Sequence, residues 1–131
     1  MIMAIDVSNT NITLGTFKGE KLLKIYRVTT KVPRTSDEYG VLLRDLVRLS
    51  NASHHDIEGV IIASVVPNVM YSLTNACIKY FHVHPVIVGP GVKTGVKVGA
   101  ENPKEAGSDL IVNAAAVKEL YGVPAIVIDY G

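Results

Sequence analysis

Cysteine, net charge and long apolar runs are all scarce in this sequence of 131 residues. A single cysteine, Cys77, cannot form an internal disulfide and suits a reducing compartment, so we expect a cytoplasmic chain. No apolar run approaches the roughly 18 residues of a membrane-spanning helix. Residues 1–5 are apolar, but Asp6 interrupts them and no basic lead precedes them, so we expect no signal peptide.

Basic and acidic side chains nearly cancel, with thirteen of the first and twelve of the second and a net charge of +1. This balance gives no electrostatic reason to expect a nucleic acid partner, and nothing in the apolar pattern suggests a membrane. The sequence also lacks repeats and linkers rich in Pro, Gly or Ser. With 48% hydrophobic residues, it has enough apolar side chains for the core of one ordinary domain.

The first thirty residues predict three strands in succession. Residues 1–7 form a short β-branched run that ends in an acid and leads into a polar turn. Residues 12–19 and 20–30 have the composition of two further strands, and Gly19, where they meet, suits a hairpin turn. The segment therefore predicts an antiparallel meander.

After residue 30 the apolar pattern changes, and helices alternate with strands. Thr35 and Glu38 predict a capping box at the start of the first helix, and Pro67 suits the first turn of the second. The run 59–66 is almost continuously apolar, so we expect a strand that is buried on both faces. The predicted helices cover residues 36–50, 67–81 and 102–121, and the other predicted strands cover residues 85–88, also buried, and 123–129.

This order of elements, βββαβαβα with a final strand, predicts an α/β fold. We expect a mixed five-stranded sheet that is flanked by helices, because strand-helix alternation follows the meander. It is the order of a ribonuclease-H-like domain. An order of elements does not determine chemistry, so the function has to be inferred from particular residues.

The polar turn after the first strand, DVSNTN at residues 6–11, is the first candidate for a binding site. In such a turn the backbone N–H groups and the side chains of Asn9, Thr10 and Asn11 can point at phosphate oxygens. Asp6 can hold Mg²⁺ and orient a phosphoryl group through the metal. The same residue types also form ordinary hairpins, so the alternative is a purely structural turn.

Three later segments are further candidates. The glycine-rich loop of residues 89–95 contains Lys93, which can meet an anionic group, although a structural turn is the alternative. Asp109 has apolar neighbours in sequence and is a candidate general base, unless it lies on a solvated helix face. Asp129 ends an apolar strand and so repeats the pattern of Asp6. Cys77 is expected in the core and not as a nucleophile.

Taken together, these segments resemble the type III pantothenate kinases, which belong to the acetate and sugar kinase, Hsp70 and actin superfamily. Each motif is weak alone, and it is their order along the whole chain that makes the resemblance specific. The motifs are DVSNT (6–10), TSDEYG (35–40), SVVP (64–67), GPGVKTG (89–95), ENP (101–103), GSD (107–109) and DYG (129–131).

The resemblance implies ATP-dependent phosphorylation of pantothenate, a small-molecule substrate, in coenzyme A biosynthesis. It implies that Asp109 accepts the proton of the pantothenate hydroxyl and that Asp129 binds a monovalent cation, K⁺ or NH₄⁺. The residues that it assigns to ATP are Asp6, Val7, Ser8, Asn9, Thr10, Asn11, Ile12 and Thr13, with Asp6 also expected to bind Mg²⁺. Those that it assigns to pantothenate are Ala100, Gly107, Ser108, Asp109 and Leu110.

Three positions depart from the usual pattern of the family. Ser8 stands in place of a glycine, where the backbone should approach phosphate. Ala100 replaces a tyrosine and Leu110 an arginine, and both changes remove a group that would contact pantothenate. The alternative function is therefore a non-catalytic binding or regulatory homologue of the kinase.

The family pattern continues beyond the DYG motif into a second domain of similar size, and the nucleotide binds between the two domains. We therefore expect residues 1–122 to form an N-terminal domain and residues 123–131 to be the first strand of a second domain that is otherwise absent. The chain alone should be inactive or nearly so. An apolar strand without its neighbours tends to pair with another chain, so we also expect a homodimer.

Overall fold

The computed structural model describes residues 1–89 of the chain. The predicted helix over residues 102–121, the predicted strand over residues 123–129 and the predicted domain boundary at residue 122 lie outside this part. Within it, the order of strands and helices is the one that the sequence predicts.

Three antiparallel strands form the first part of the fold, which confirms the predicted meander. β1 (Ile2–Val7) pairs with β2 (Asn11–Lys18), and β2 pairs with β3 (Lys21–Thr29). In the tight turn between β2 and β3, Gly19 has a φ of 61°, a left-handed conformation that glycine adopts at little cost because it has no Cβ. The hairpin turn is therefore where its glycine places it.

The first helix, α1 (Ser36–Leu49), begins at the capping box that the sequence predicts. The Glu38 N–H donates to Thr35 Oγ1 at 3.2 Å, and the Thr35 N–H donates to the Glu38 carboxylate at 3.0 Å. Each bond satisfies a backbone N–H group that has no acceptor within the helix itself. The helix buries Tyr39, Leu43 and Val47, which share one face at helical spacing.

The remaining described elements alternate strand and helix. β4 (Gly59–Ser64) runs parallel to β1, and a single 3₁₀ turn (Pro67–Val69) leads into α2 (Met70–Phe81). β5 (Val86–Ile87) then pairs in parallel with β4. No helix within residues 1–89 is long and apolar enough to span a membrane.

The five strands form one mixed sheet in the order β3-β2-β1-β4-β5, and this confirms the predicted α/β, ribonuclease-H-like architecture. Alternate side chains of β1, namely Met3, Ile5 and Val7, join one core with side chains of α1 and α2. Both helices therefore cover the same face of the sheet. Ala4 and Asp6, at the intervening positions of β1, lie on the opposite face.

Two details of the sequence prediction are wrong. Ile61 in β4 is 42% exposed, and Val86 in β5 is 51% exposed, whereas both strands were expected to be buried. The prediction was wrong because a continuous apolar run does not tell whether a second layer covers each face of the strand. Here α1 and α2 cover one face, on which Val60 and Ile62 are buried.

Candidate functional site

The turn between β1 and β2 has a fixed conformation because bonds hold it on two sides. Across the turn, the Ser8 N–H donates to the Asn11 carbonyl at 3.0 Å. Thr30, buried just after β3, holds it from the side: its Oγ1 donates to the Ser8 carbonyl at 2.7 Å, and its N–H donates to the Thr10 carbonyl at 3.0 Å. The neighbouring strand thus contributes directly to the shape of the turn.

The tip of this β1–β2 turn offers donors for an anion. Asn9 and Thr10 are exposed, and their backbone N–H groups donate to no acceptor within residues 1–89. Successive N–H groups held in a turn form a concave site for phosphate or carboxylate oxygens. A cavity of about 210 Å³ lies here, and its lining residues are Ser8, Asn9, Thr10, Asn11 and Thr13.

Asp6 lies beside this cavity, on the sheet face that α1 and α2 do not cover. In the sheet register it is opposite Thr13 of β2 and beside Ala63 of β4. Thr13 lines both the cavity at the turn and a second cavity of about 270 Å³ that Asp6 helps to line. The structure therefore brings the predicted carboxylate and the predicted anion-binding turn to the same edge of the sheet.

These residues fit a magnesium–phosphate group better than a metal held by protein alone. Within residues 1–89, no group of three or more His, Cys, Asp or Glu side chains is placed to hold a metal ion. Mg²⁺ usually takes only one or two protein carboxylates and completes its shell with water and phosphate oxygens. Asp6 can supply such a carboxylate, while the N–H groups of Asn9 and Thr10 can bind phosphate oxygens.

Cys77 takes no part in this site, as the sequence predicts. Its side chain on α2 is fully buried in the core. Burial disfavours the thiolate and raises the pKa of the Cys77 thiol to about 12. A cysteine of this kind does not act as a nucleophile.

The other predicted site residues lie outside the described part of the chain. They come from the glycine-rich loop, the ENP and GSD segments and the final strand, and they are Lys93, Ala100, Gly107, Ser108, Asp109, Leu110 and Asp129. Thr30, in contrast, is described and was missed by the sequence reasoning. Its hydroxyl reaches a carbonyl 22 residues away, and no local pattern marks such a contact.

The strand order, two helices on one face and a fixed polar turn after the central strand define a class of protein. It is a ribonuclease-H-like domain of the actin and Hsp70 kind, with a polar turn after its central strand. A family model described as type III pantothenate kinase matches residues 2–131. The chain belongs to the type III pantothenate kinase family.

Individual relatives agree with the family match. The type III pantothenate kinase of Agathobacter rectalis is 53% identical to this chain over 131 residues, and those of Listeria welshimeri and Listeria innocua are each 50% identical. Every alignment covers 100% of this chain but only 50% or 51% of the relative. The chain thus spans about half the length of the curated relatives it matches, and it corresponds to their N-terminal half.

Proposed function

We propose that this chain is the N-terminal half of an ATP-dependent kinase that phosphorylates pantothenate in coenzyme A biosynthesis. The observation that carries the proposal is the β1–β2 turn: two neighbouring N–H groups are available for an anion, and Asp6 lies at the same edge of the sheet. Membership of the type III pantothenate kinase family supports it. The proposed substrates are ATP and pantothenate.

On the nucleotide side, the proposal assigns residues 6–13 to the phosphates of ATP. The N–H groups of Asn9 and Thr10 would bind phosphate oxygens, and the polar side chains of the turn would complete the contact. Asp6 would hold Mg²⁺, which neutralises part of the phosphate charge. Thr30 keeps the turn in place through its bonds to Ser8 and Thr10, so it is a positioning residue.

On the pantothenate side, the proposal uses Asp109 as the general base. Its carboxylate takes the proton of the pantothenate hydroxyl while the hydroxyl oxygen bonds to the γ-phosphorus, and ADP leaves with the bridging oxygen. Asp129 would bind K⁺ or NH₄⁺. The residues proposed to contact pantothenate are Ala100, Gly107, Ser108, Asp109 and Leu110.

The proposal also concerns assembly. Residues 1–122 would form one domain, and residues 123–131 would begin a second, which the other half of the kinase completes. The chain alone should then lack one side of the nucleotide cleft and be inactive. We further propose a cytoplasmic homodimer, since a single cysteine suits a reducing compartment and the apolar strand predicted over residues 123–129 would pair with another chain.

Reconstitution from two halves tests this function. The chain is assayed with ATP, Mg²⁺, K⁺ and pantothenate, alone and with the separately produced unmatched half of the Agathobacter rectalis relative. We expect phosphopantothenate only from the mixture. Asp109→Asn should lower its kcat by about 100-fold or more, because general base catalysis contributes about 10²–10⁴. Asp6→Asn should raise the KM for MgATP.

Asp45→Asn is the matched control, since Asp45 lies exposed on α1, away from the β1–β2 turn, and its removal should leave the rate unchanged. Turnover by this chain without its complement would contradict the half-site proposal. A stable complex without turnover would favour the non-catalytic homologue. In that case Ala100→Tyr with Leu110→Arg should restore pantothenate binding, measured by calorimetry.

A further inference from the structure

A third cavity lies behind the β1–β2 turn, on the helix side of the sheet. It has a volume of about 480 Å³, within the range of roughly 300–1,000 Å³ that is typical of small-ligand sites. Asn9 lines both this cavity and the one at the turn. The other walls are the connection between β3 and α1, which contains Lys31 and Arg34, and the start of α2, which contains Ser72.

The charged side chains that line this helix-side cavity are both cationic. Lys31 and Arg34 contribute two cations to its lining, and no carboxylate is among the lining residues. The nearest acids on α1, Asp37 and Glu38, line a different cavity, with Arg34 on the wall between the two. An anion in the helix-side cavity would therefore lie near two cations, and no carboxylate lines the cavity to repel it.

Arg34 is held in place before any ligand arrives. Its Nη1 donates to the Thr29 carbonyl at 2.8 Å, and its Cζ lies 5.6 Å from the centre of the buried Tyr39 ring. None of the ion pairs within residues 1–89 involves Arg34. A guanidinium has five N–H donors, so most of them remain available for a carboxylate or a phosphate.

The rest of the lining is suited to an organic molecule. Val66 and Val69 provide apolar surface, while Asn68 and Ser72 provide polar groups. In addition, the cavity lining includes Val69, directly before α2, and Ser72 in its first turn, so the positive end of the α2 dipole lies at this cavity. The lining thus combines a charged wall with an apolar wall.

We propose that the helix-side cavity binds an organic anion, whose carboxylate or phosphate group pairs with Arg34 and Lys31 while its apolar part packs against Val66 and Val69. This site lies next to the β1–β2 turn, and ligand binding there does not depend on kinase activity. The two cavities share Asn9 as a wall, and Thr30 lies in the lining of the helix-side cavity while it bonds to the turn. A ligand here would therefore contact the residue that shapes the turn.

Titration followed by amide NMR tests the proposal on the whole chain, without nucleotide. The probes are hexanoate, hexyl phosphate and the uncharged hexanol, which share one apolar body. We expect saturable shifts at the amides of Asn9, Arg34, Asn68 and Ser72 with at least one of the two anions, and at least fivefold weaker binding of hexanol. The tighter of the two anions identifies the charged group that the site prefers.

Variants assign the effect to Arg34. Arg34→Ala should weaken anion binding by about tenfold, the loss expected for a charge-assisted hydrogen bond. Arg34→Gln, which keeps a polar side chain without the positive charge, should weaken binding similarly and serves if the alanine variant does not fold. Arg48→Ala is the control, since Arg48 is exposed in the last turn of α1, at the opposite end of the helix.

Three results would overturn the inference: no saturable shifts at these amides, equal binding of hexanol, or unchanged binding by both Arg34 variants. Because the titration needs neither ATP nor the second half of the kinase, its failure would leave the proposed phosphorylation untouched. Conversely, a lack of kinase activity in the reconstituted mixture would not contradict the proposed anion binding in this cavity.

Discussion

At Gly40 the contact between the two helices leaves no room for a side chain. This residue lies inside α1 against the ring of Tyr80 on α2, and a Cβ at this position would overlap ring atoms of Tyr80. The ring cannot move away easily, because the Tyr80 hydroxyl donates to the Asp37 carboxylate at 2.6 Å. In this helix a glycine is therefore required by packing, although alanine is usually the better helix former.

Gly40→Ala should accordingly destabilise the protein by about 1–3 kcal/mol, the usual cost of an overpacked site. The measurement is the free energy of unfolding in urea. The matched background is Tyr80→Ala, in which Gly40→Ala should be neutral or stabilising because the overlap is gone. Equal losses in both backgrounds would contradict the packing explanation.

Asp37 also connects the helices, and it makes their contact dependent on pH. Lys79 Nζ lies 2.8 Å from its carboxylate, and the hydrogen bond from Lys79, followed by that from Tyr80, lowers the pKa of Asp37 from its ordinary value of 3.8. A lowered pKa means that the folded protein binds fewer protons than the unfolded chain. The contribution of Asp37 to stability is thus present above its ordinary pKa and is lost as the pH falls through the folded value.

We therefore expect Asp37→Asn to destabilise the protein at neutral pH and to make less and less difference below the ordinary pKa of the carboxyl. Urea unfolding at a series of pH values measures both curves. Asp45→Asn, on the exposed side of α1, serves as the control and should leave the loss of stability at acidic pH unchanged. A constant difference between wild type and Asp37→Asn down to strongly acidic pH would argue against this pair of bonds.

The position at which α1 begins is determined by a few neighbouring residues. Its capping box joins Thr35 and Glu38, three positions apart, and both bonds are present. Thr35→Ala should lower the free energy of unfolding by about 1 kcal/mol, the typical cost of losing an N-cap. Ser36→Ala, at the next position, is the control and should cost less. The comparison is made by thermal or urea unfolding, and equal losses would contradict a specific cap.

Elements that depend on distant partners were predicted less well. The bounds of α1 differ from the prediction by one residue, because capping and helical periodicity are local. β5 is two residues long and exposed, and Ile61 of β4 is 42% exposed. These features depend on which layer covers each face of the sheet, and an apolar run carries no information about that.

At the scale of the whole chain, the contact that shapes the candidate site joins Thr30, which follows β3, to the β1–β2 turn. Thr30→Val removes the 2.7 Å bond to the Ser8 carbonyl while keeping the shape of the side chain. We expect a loss of about 1 kcal/mol in stability and a severalfold higher KM for MgATP in the reconstituted kinase, because the turn loses its side support. Thr29→Val, at the exposed neighbouring position, should change neither. An unchanged KM in Thr30→Val would show that the turn keeps its shape without this bond.

The candidate site likewise has parts that the sequence predicts and parts that only the tertiary structure shows. The sequence was sufficient for the capping box and Gly19, since each depends on residues within a few positions of one another. The order of motifs along the whole chain indicated the family. The sequence also singled out Asp6 and the polar turn, whose binding role stays a prediction. The support of the turn by Thr30 and the cavity beside Arg34 became visible only in the folded chain. Each of these arises where segments far apart in sequence come together, and short-range patterns do not encode such contacts.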